Sequence, residues 1–273
     1  MLSNEGDRLT RAVVSAPRNA YFDVGDLAAN NINELPDRSR ATRQMEQLTA
    51  TLEAFGSEVV DVPELEGHPN CVFPRDVVLM TPEGFIRLRM GLETRRGEER
   101  WMARALEALG ERCVGEIVPP GTVEGGDVIL LGDIAFVGRS QRTNDEGVAQ
   151  LSALLSPMGY EVRTAPVSEE YLHLGGQMSA LGPSRVLHCR GVYPPGLFRG
   201  IETIEVHPCG PSAGNVICLG SGDVVANAAE EAETIRELER QGVTVQAIDL
   251  SEFHKGAGGP TCLILPVHRA SIC

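Results

Sequence analysis

Two spacings of apolar residues alternate along the chain. At Met45, Leu48, Leu52 and Phe55, and again at Trp101, Ala105, Leu106 and Leu109, apolar residues recur three and four positions apart, which predicts amphipathic helices. Short apolar runs at residues 77–80, 128–131 and 216–219 predict buried strands. One phrase repeats: a helical pattern ending Leu-x-x-x-Gly, then a strand-like run. It spans residues 52–56 before 58–62, 106–110 before 114–118, 155–159 before 160–162, and 238–242 before 243–248. The closing residues Gly56, Gly110, Gly159 and Gly242 read as the position just past a helix end, where a positive φ is cheap only without a Cβ.

The modules are irregularly spaced, and no Pro/Ser-rich linker divides them, so the pattern predicts one domain of repeated α/β units over residues 1–273. An ordinary doubly wound α/β sheet is the alternative architecture. The nucleotide-fold signatures GxGxxG after a first strand and GxxxxGK[ST] are absent from the sequence.

Charge narrows the possible partners. With 24 Lys and Arg against 38 Asp and Glu, the formal net charge is −14, which argues against a nucleic-acid or anionic-membrane surface. No apolar run approaches the roughly 18 residues of a membrane span. The first residues carry neither a basic region nor an apolar stretch, so a cytoplasmic location is expected. The seven cysteines are Cys71, Cys113, Cys189, Cys209, Cys218, Cys262 and Cys273. They include no CxxC pair, so neither a disulfide framework nor a thiolate zinc site is expected, and most read as small buried apolar residues.

Three segments carry candidate chemistry. Gly258-Gly259-Pro260-Thr261-Cys262 puts a thiol after two glycines, where substrate can approach closely. His173 sits between Leu172 and Leu174, followed by Gly175 and Gly176, and Glu124-Gly125-Gly126-Asp127 brackets a glycine turn with carboxylates. Taken singly, each has a plainer reading as a core thiol, a hydrogen-bonded core histidine and a solvated turn.

In combination they resemble the guanidino-modifying, or pentein, superfamily, and within it the dimethylargininases. The resemblance runs through almost the whole chain and rests on Arg95-Arg96-Gly97-Glu98, residues 120–127, residues 140–147, His173-Leu174, Gly214-Asn215 and the terminal Gly-Gly-x-x-Cys. It implies a propeller-like fan of five ββαβ modules around a substrate channel. It further implies Cys262 as nucleophile, His173 as acid/base, and Glu124 as the carboxylate orienting the guanidinium. Asp76 would hold the guanidinium as well, Arg95 and Arg142 would clamp a substrate carboxylate, and Asn70 would contact the α-amino group. The implied reaction converts an Nω-methylated arginine to citrulline and an amine. It calls for no metal or organic cofactor, the expected partner is a small arginine-like molecule, and a homodimer is left open.

The chain also departs from that pattern. Dimethylargininases usually carry Phe-x-Glu-Asp where this sequence has Phe73-Pro74-Arg75-Asp76, and residues 69–76 are instead similar to the Asn-x-x-Phe-x-Arg-Asp segment of arginine deiminases. Gly175 stands where the deiminases have an Asp, and Ala257 stands where dimethylargininases have an acidic residue. Arginine deimination and hydrolysis of a related ureido amino acid are therefore the alternative reactions. A non-catalytic binding protein is the alternative of another class, and amidino transfer is disfavoured because that branch has much longer chains.

Overall fold

The computed structural model describes residues 3–207, 210–220 and 222–271. Cys209 and Cys273 lie outside the described residues. The chain builds five three-stranded sheets, each made the same way. Two strands form an antiparallel hairpin, and after a crossover a third pairs in parallel with the second. Strand β1 (Arg8–Val14), helix α1 (Arg38–Ala54) and strand β2 (Glu58–Asp61) begin one module. It is completed only by the last strand of the chain.

The second module holds β3 (Val78–Thr81), β4 (Gly84–Arg87), α2 (Glu98–Ala108) and β5 (Cys113–Glu116). The third holds β6 (Val128–Leu131), β7 (Ile134–Arg139), α3 (Asp145–Leu155) and β8 (Glu161–Pro166). The fourth holds β9 (Met178–Gly182), β10 (Arg185–Cys189) and β11 (Glu202–Val206), and the fifth β12 (Ile217–Gly220), β13 (Asp223–Asn227), α4 (Ala232–Arg240) and β14 (Thr244–Ile248). A short helix α5 (Ser251–His254) then leads to β15 (Leu265–Ala270), which pairs with β1 and closes the ring.

The recurring sequence phrase marks the entry to the third, parallel strand. Gly56, Gly110 and Gly242 each follow a helix C-cap, and Gly159 follows a short 3₁₀ turn that extends α3; all four have positive φ. The phrase occurs four times, while the structure has five modules. In the β9–β11 unit the crossover contains only a 3₁₀ turn, Pro195–Phe198, so there is no helical period to read.

The hairpin strands nearest the axis carry the unbroken apolar runs because both faces are covered. Every residue of β3, β6 and β12 is buried. The helices bury one stripe, Leu48 and Leu52 of α1 and Met102 and Leu106 of α2 being fully enclosed. Truncating one of these to Ala would cost about 2–5 kcal/mol. The N-terminal residues 3–7 join the middle of the fold. The Glu5 amide donates to the Leu130 carbonyl, the Asn4 side-chain amide donates to the Pro183 carbonyl, and Arg269 donates to the Asp7 carbonyl.

Candidate active site

Each module delivers one short turn to the axis just before its first strand. Asp76 ends the turn Pro74–Asp76 ahead of β3. Glu124 precedes the turn Gly125–Asp127 ahead of β6, and His173 precedes Leu174–Gly176 ahead of β9. Cys262 lies in the turn Pro260–Leu263 ahead of β15. Residues far apart in sequence thus converge because they hold the same place in repeated units. The remaining module, beginning at β12, supplies Asn215. Its side-chain carbonyl accepts from both the amide and the hydroxyl of Thr261, at 3.0 Å each, and so braces the residue before Cys262.

All seven residues named from the sequence line one cavity of about 340 Å³: Cys262, His173, Glu124, Asp76, Arg95, Arg142 and Asn70. Phe73, Leu92 and Leu172 add apolar wall. Glycine is required at two points of close approach. A Cβ on Gly126 would fall 2.6 Å from His173 Nδ1, and one on Gly258 would fall 2.2 Å from the Phe73 ring.

The inner end of the cavity is a cluster of buried charge. His173 Nε2 faces Glu124 Oε2 at 2.8 Å. The other oxygen of Glu124 accepts from the amides of Gly91 and Leu92 at 3.0 Å each. Burial opposes the charged form of Glu124, but the His173 hydrogen bond and charge, with Arg95, hold it down to about 2. For His173, too, burial opposes the charge, yet Asp76, Asp127 and Glu124 carry its pKa up to about 9. At neutral pH the imidazolium is therefore a proton donor. Burial and the Asp76 charge push the Cys262 thiol up to about 11, so it stays protonated until something offsets that field.

Asp127 lies directly behind this cluster. It accepts from the hydroxyls of Ser140 and Thr143 at 2.6 Å each and from the Leu174 amide at 2.9 Å, which ties the Glu124 turn to the His173 turn. The segment 124–127 is thus a buried junction, and the plain solvated-turn reading does not hold. Sequence reasoning gave Asp127, Ser140, Thr143 and Asn215 no role, although all four lie within the segments that carry the family resemblance.

The two arginines are placed differently. Arg95 is buried, and its guanidinium bonds Asp76 Oδ2 at 2.6 Å, Glu98 Oε2 at 2.9 Å and the carbonyls of Asn70 and Phe73. Arg142 makes no ion pair among the described residues, and its buried Nε lacks a partner. The buried Asn70 Oδ1 is also unpartnered, while its amide donates to the Asn30 carbonyl at 2.7 Å. Arg75, the departure from the dimethylargininase pattern, turns away from this cavity and pairs with Glu5 at 2.7 Å. It lines a second cavity of about 440 Å³ behind Gly126 and Gly175, together with Glu5, Cys218 and Arg269. Among the described residues, thiol, imidazole and carboxylates meet in the first cavity, which makes it the candidate site.

Asp76, Glu124 and His173 each offer a donor atom within 4.8 Å of the others, a geometry compact enough for a cation. His173 would have to lose its proton to ligate a metal, whereas an organic cation needs only the two carboxylates. Among the described residues, no helix is long and apolar enough to cross a membrane. The cysteines divide as burial dictates. Cys71, Cys189 and Cys218 are buried, Cys113 is exposed and Cys262 is half-buried in the cavity wall.

Five three-stranded modules that converge on a thiol, an imidazolium and paired carboxylates define a guanidino-modifying hydrolase of the pentein superfamily. The sequence model described as N,N dimethylarginine dimethylhydrolase, eukaryotic, matches residues 16–196. The N(G),N(G)-dimethylarginine dimethylaminohydrolase of Streptomyces coelicolor is 34% identical over 84% of this chain and 87% of its own. The Pseudomonas aeruginosa protein of the same name is 30% identical over 89% of this chain and 94% of its own. A Cys-to-Ser variant of the Pseudomonas aeruginosa enzyme complexed with citrulline superposes with a TM-score of 0.82 at 28% identity, covering 94% of this chain and 99% of that one. The chain belongs to the dimethylarginine dimethylaminohydrolase family, whose members hydrolyse a C–N bond of a linear amidine.

Proposed function

We propose that the protein hydrolyses an Nω-methylated arginine to citrulline and methylamine or dimethylamine through a covalent adduct on Cys262. The observation that carries this reading is the polarity of the one cavity. Its inner end is carboxylate-rich around His173 and Cys262, while its other lining groups include Arg142 and Asn70 with unpaired polar atoms. An arginine-like amino acid has the complementary order: a cation at the tip, and a carboxylate and an ammonium at the base.

A guanidinium held by Asp76 and Glu124 sets a positive charge beside the sulfur. That charge offsets the field that keeps the thiol protonated, so binding of substrate itself favours the thiolate. The sulfur attacks the guanidinium carbon, and the tetrahedral centre collapses as the His173 imidazolium donates its proton to the departing amine. This leaves an S-alkylthiouronium on Cys262 and a neutral imidazole. A water then loses a proton to His173 and adds to the same carbon. Expulsion of the thiolate leaves the ureido group of citrulline.

The methylated substrate is favoured over arginine by what faces its tip. Arg75 turns to the rear, Gly175 and Ala257 bring no carboxylate, and Phe73, Leu92 and Leu172 supply apolar wall. Each charge-assisted hydrogen bond missing from a guanidinium nitrogen costs about 1.5–3 kcal/mol, a loss that falls on unsubstituted arginine more than on a nitrogen bearing methyls. The Pseudomonas aeruginosa relative bound to citrulline supports the product assignment. The deciding experiment incubates the protein with arginine, mono- and dimethylarginine, citrulline and agmatine, and measures ureido product and released amine. Amine from the methylated substrates with little ammonia from arginine is expected. Ammonia from arginine at equal or greater efficiency would replace this reading with a deiminase, and no turnover of any of them would favour a binding protein.

A further inference from the structure

The turn that carries Cys262 is gripped by a side chain of the module that begins at β12. Asn215 is buried, and its Oδ1 accepts from both the amide and the hydroxyl of Thr261 at 3.0 Å each. The turn itself is closed by the Cys262 amide, which donates to the Gly259 carbonyl at 3.1 Å. Gly259 has no room for a side chain, since a Cβ there would fall 2.7 Å from Asn215 Cγ. Asn215 in turn sits on a fixed backbone. The Ser179 hydroxyl donates to the Gly214 carbonyl at 2.7 Å and accepts from the Val216 amide at 3.1 Å, and the Gly214 amide donates to the Gly176 carbonyl at 3.0 Å. One loop thus joins the turn of the nucleophile to the turn that follows His173.

The direction of these bonds is decided by their donors. A backbone amide can only donate, so the oxygen of the Asn215 carboxamide must face Thr261, and the Thr261 hydroxyl, meeting the same oxygen, must give it its single proton. Two groups of this turn also bear on the sulfur. Burial and Asp76 oppose the Cys262 thiolate, while the Gly259 amide, the Thr261 hydroxyl and the Arg95 charge favour it. The ionisable groups that also line the cavity are His173, Glu124 and Arg142. Both contributions of the turn come from residues that Asn215 touches. With its proton on Asn215, Thr261 Oγ1 can accept from the neutral thiol but cannot support a thiolate. Once the thiol has lost its proton to water, turning the hydroxyl to the sulfur exchanges a neutral hydrogen bond for a charge-assisted one, which is roughly twice as strong. The Thr261 amide keeps its hold on Asn215 throughout.

We propose that Asn215 and Thr261 act as one unit on the nucleophile: Asn215 positions the turn and holds the Thr261 hydroxyl proton in the resting site, and the hydroxyl swings that proton to the Cys262 sulfur when the thiolate forms. Thr261 is then a catalytic residue and Asn215 a positioning residue. The assignment rests on Cys262 as the nucleophile of the proposed function, and not on which guanidine is its substrate.

Alkylation by neutral iodoacetamide reads the thiolate without any substrate, and the exposed Cys113 serves as a reference within the same molecule. Thr261→Val keeps the shape of the side chain and removes the hydroxyl. At about pH 8 it should lower the ratio of Cys262 to Cys113 alkylation by about 3–10-fold, the effect of a thiol pKa raised by about one unit and partly offset by the greater nucleophilicity of a more basic thiolate. Thr261→Ser keeps the hydroxyl and should stay within about twofold of wild type. In turnover, kcat should follow the same order with KM little changed. Asn215→Ala should give a loss like that of Thr261→Val, and the double variant should lose no more than the worse single variant, because the two residues act through one contact. A wild-type ratio in Thr261→Val, a fall shared by Thr261→Ser or matched by a drop in Tm, or losses that multiply in the double variant would overturn the proposal. The expected alkylation pattern in a protein that turns over none of the guanidines tested would still support the role of Thr261 and would remove only the substrate reading.

Discussion

The inner end and the mouth of the cavity contain the same kinds of side chain in opposite states. At the inner end the charges are held in ion pairs, His173 with Glu124 and Arg95 with Asp76 and Glu98, with Asp127 behind them bonded to two hydroxyls and an amide. At the mouth Arg142, and on the cavity wall the buried Asn70, keep polar atoms without partners. Paired buried charges are fixed in direction and cost little further reorganisation when a transition state forms, which is what chemistry requires. Unpaired groups carry a desolvation cost until a ligand relieves it, which is what binding and specificity require. The difference teaches that residue type alone does not fix a side chain's surroundings, since Arg95 and Arg142 share a cavity while Arg95 is held in ion pairs and Arg142 makes none among the described residues.

That comparison can be broken most severely at the nucleophile. Cys262→Ser should bring turnover below a few per cent of wild type, because a hydroxyl cannot match thiolate character in this site. The same change at Cys189 should be mild in activity. A comparable loss there with the fold intact would move the chemistry to another thiol.

Replacing His173 with Ala comes next, with kcat expected to fall by about 10²–10⁴-fold while substrate still binds. The wild-type pH profile sharpens the same point. In the free site the reactive form has a thiolate and an imidazolium. The thiolate fraction grows as pH rises toward about 11, and the imidazolium is lost as pH passes about 9. The dependence of kcat/KM should therefore climb through neutrality and peak between those values. A maximum near pH 6 would mean that the charge state assigned to the inner end is wrong.

The mouth should respond in binding. Removing Arg142 leaves a substrate carboxylate unpaired and would cost about 2–5 kcal/mol, read as a sharp rise in KM for the amino acid with far less change for agmatine. Equal losses on both would return Arg142 to a role in the fold.

The smallest effect is expected at Asn70, where loss of one neutral acceptor should cost about 1 kcal/mol, roughly a five-fold rise in KM with kcat preserved. A fall in kcat would instead place Asn70 with the chemistry, a path open through its carbonyl contact to Arg95.

Much of this was legible in the chain because it depends on short-range rules. The apolar periods marked α1 and α2, the unbroken runs marked β3, β6 and β12, and the glycines closing the helices announced the entry to a parallel strand, since positive φ is a local demand. The unit spanning β9 to β11 escaped because its crossover has no helix, so there is no helical period to read, although Gly200 at positive φ still follows the turn and precedes β11. The seven site residues could be named from the family resemblance, since their segments keep order and spacing.

What the tertiary structure alone decided is where each charge points and what it meets. The contact of Arg75 with Glu5 crosses 70 residues, that of His173 with Glu124 crosses 49, and that of Arg95 with Asp76 crosses 19. Ion pairs and hydrogen bonds act over a few ångströms; the Arg95–Asp76 separation closes within one module, and the two longer ones close only when modules are wound around one axis. The amino-acid sequence carries the modules and the chemistry each brings. The closed ring determines that Arg75 faces the rear against Glu5, that His173 meets Glu124, and that Arg142 lines the same cavity with no ion pair among the described residues.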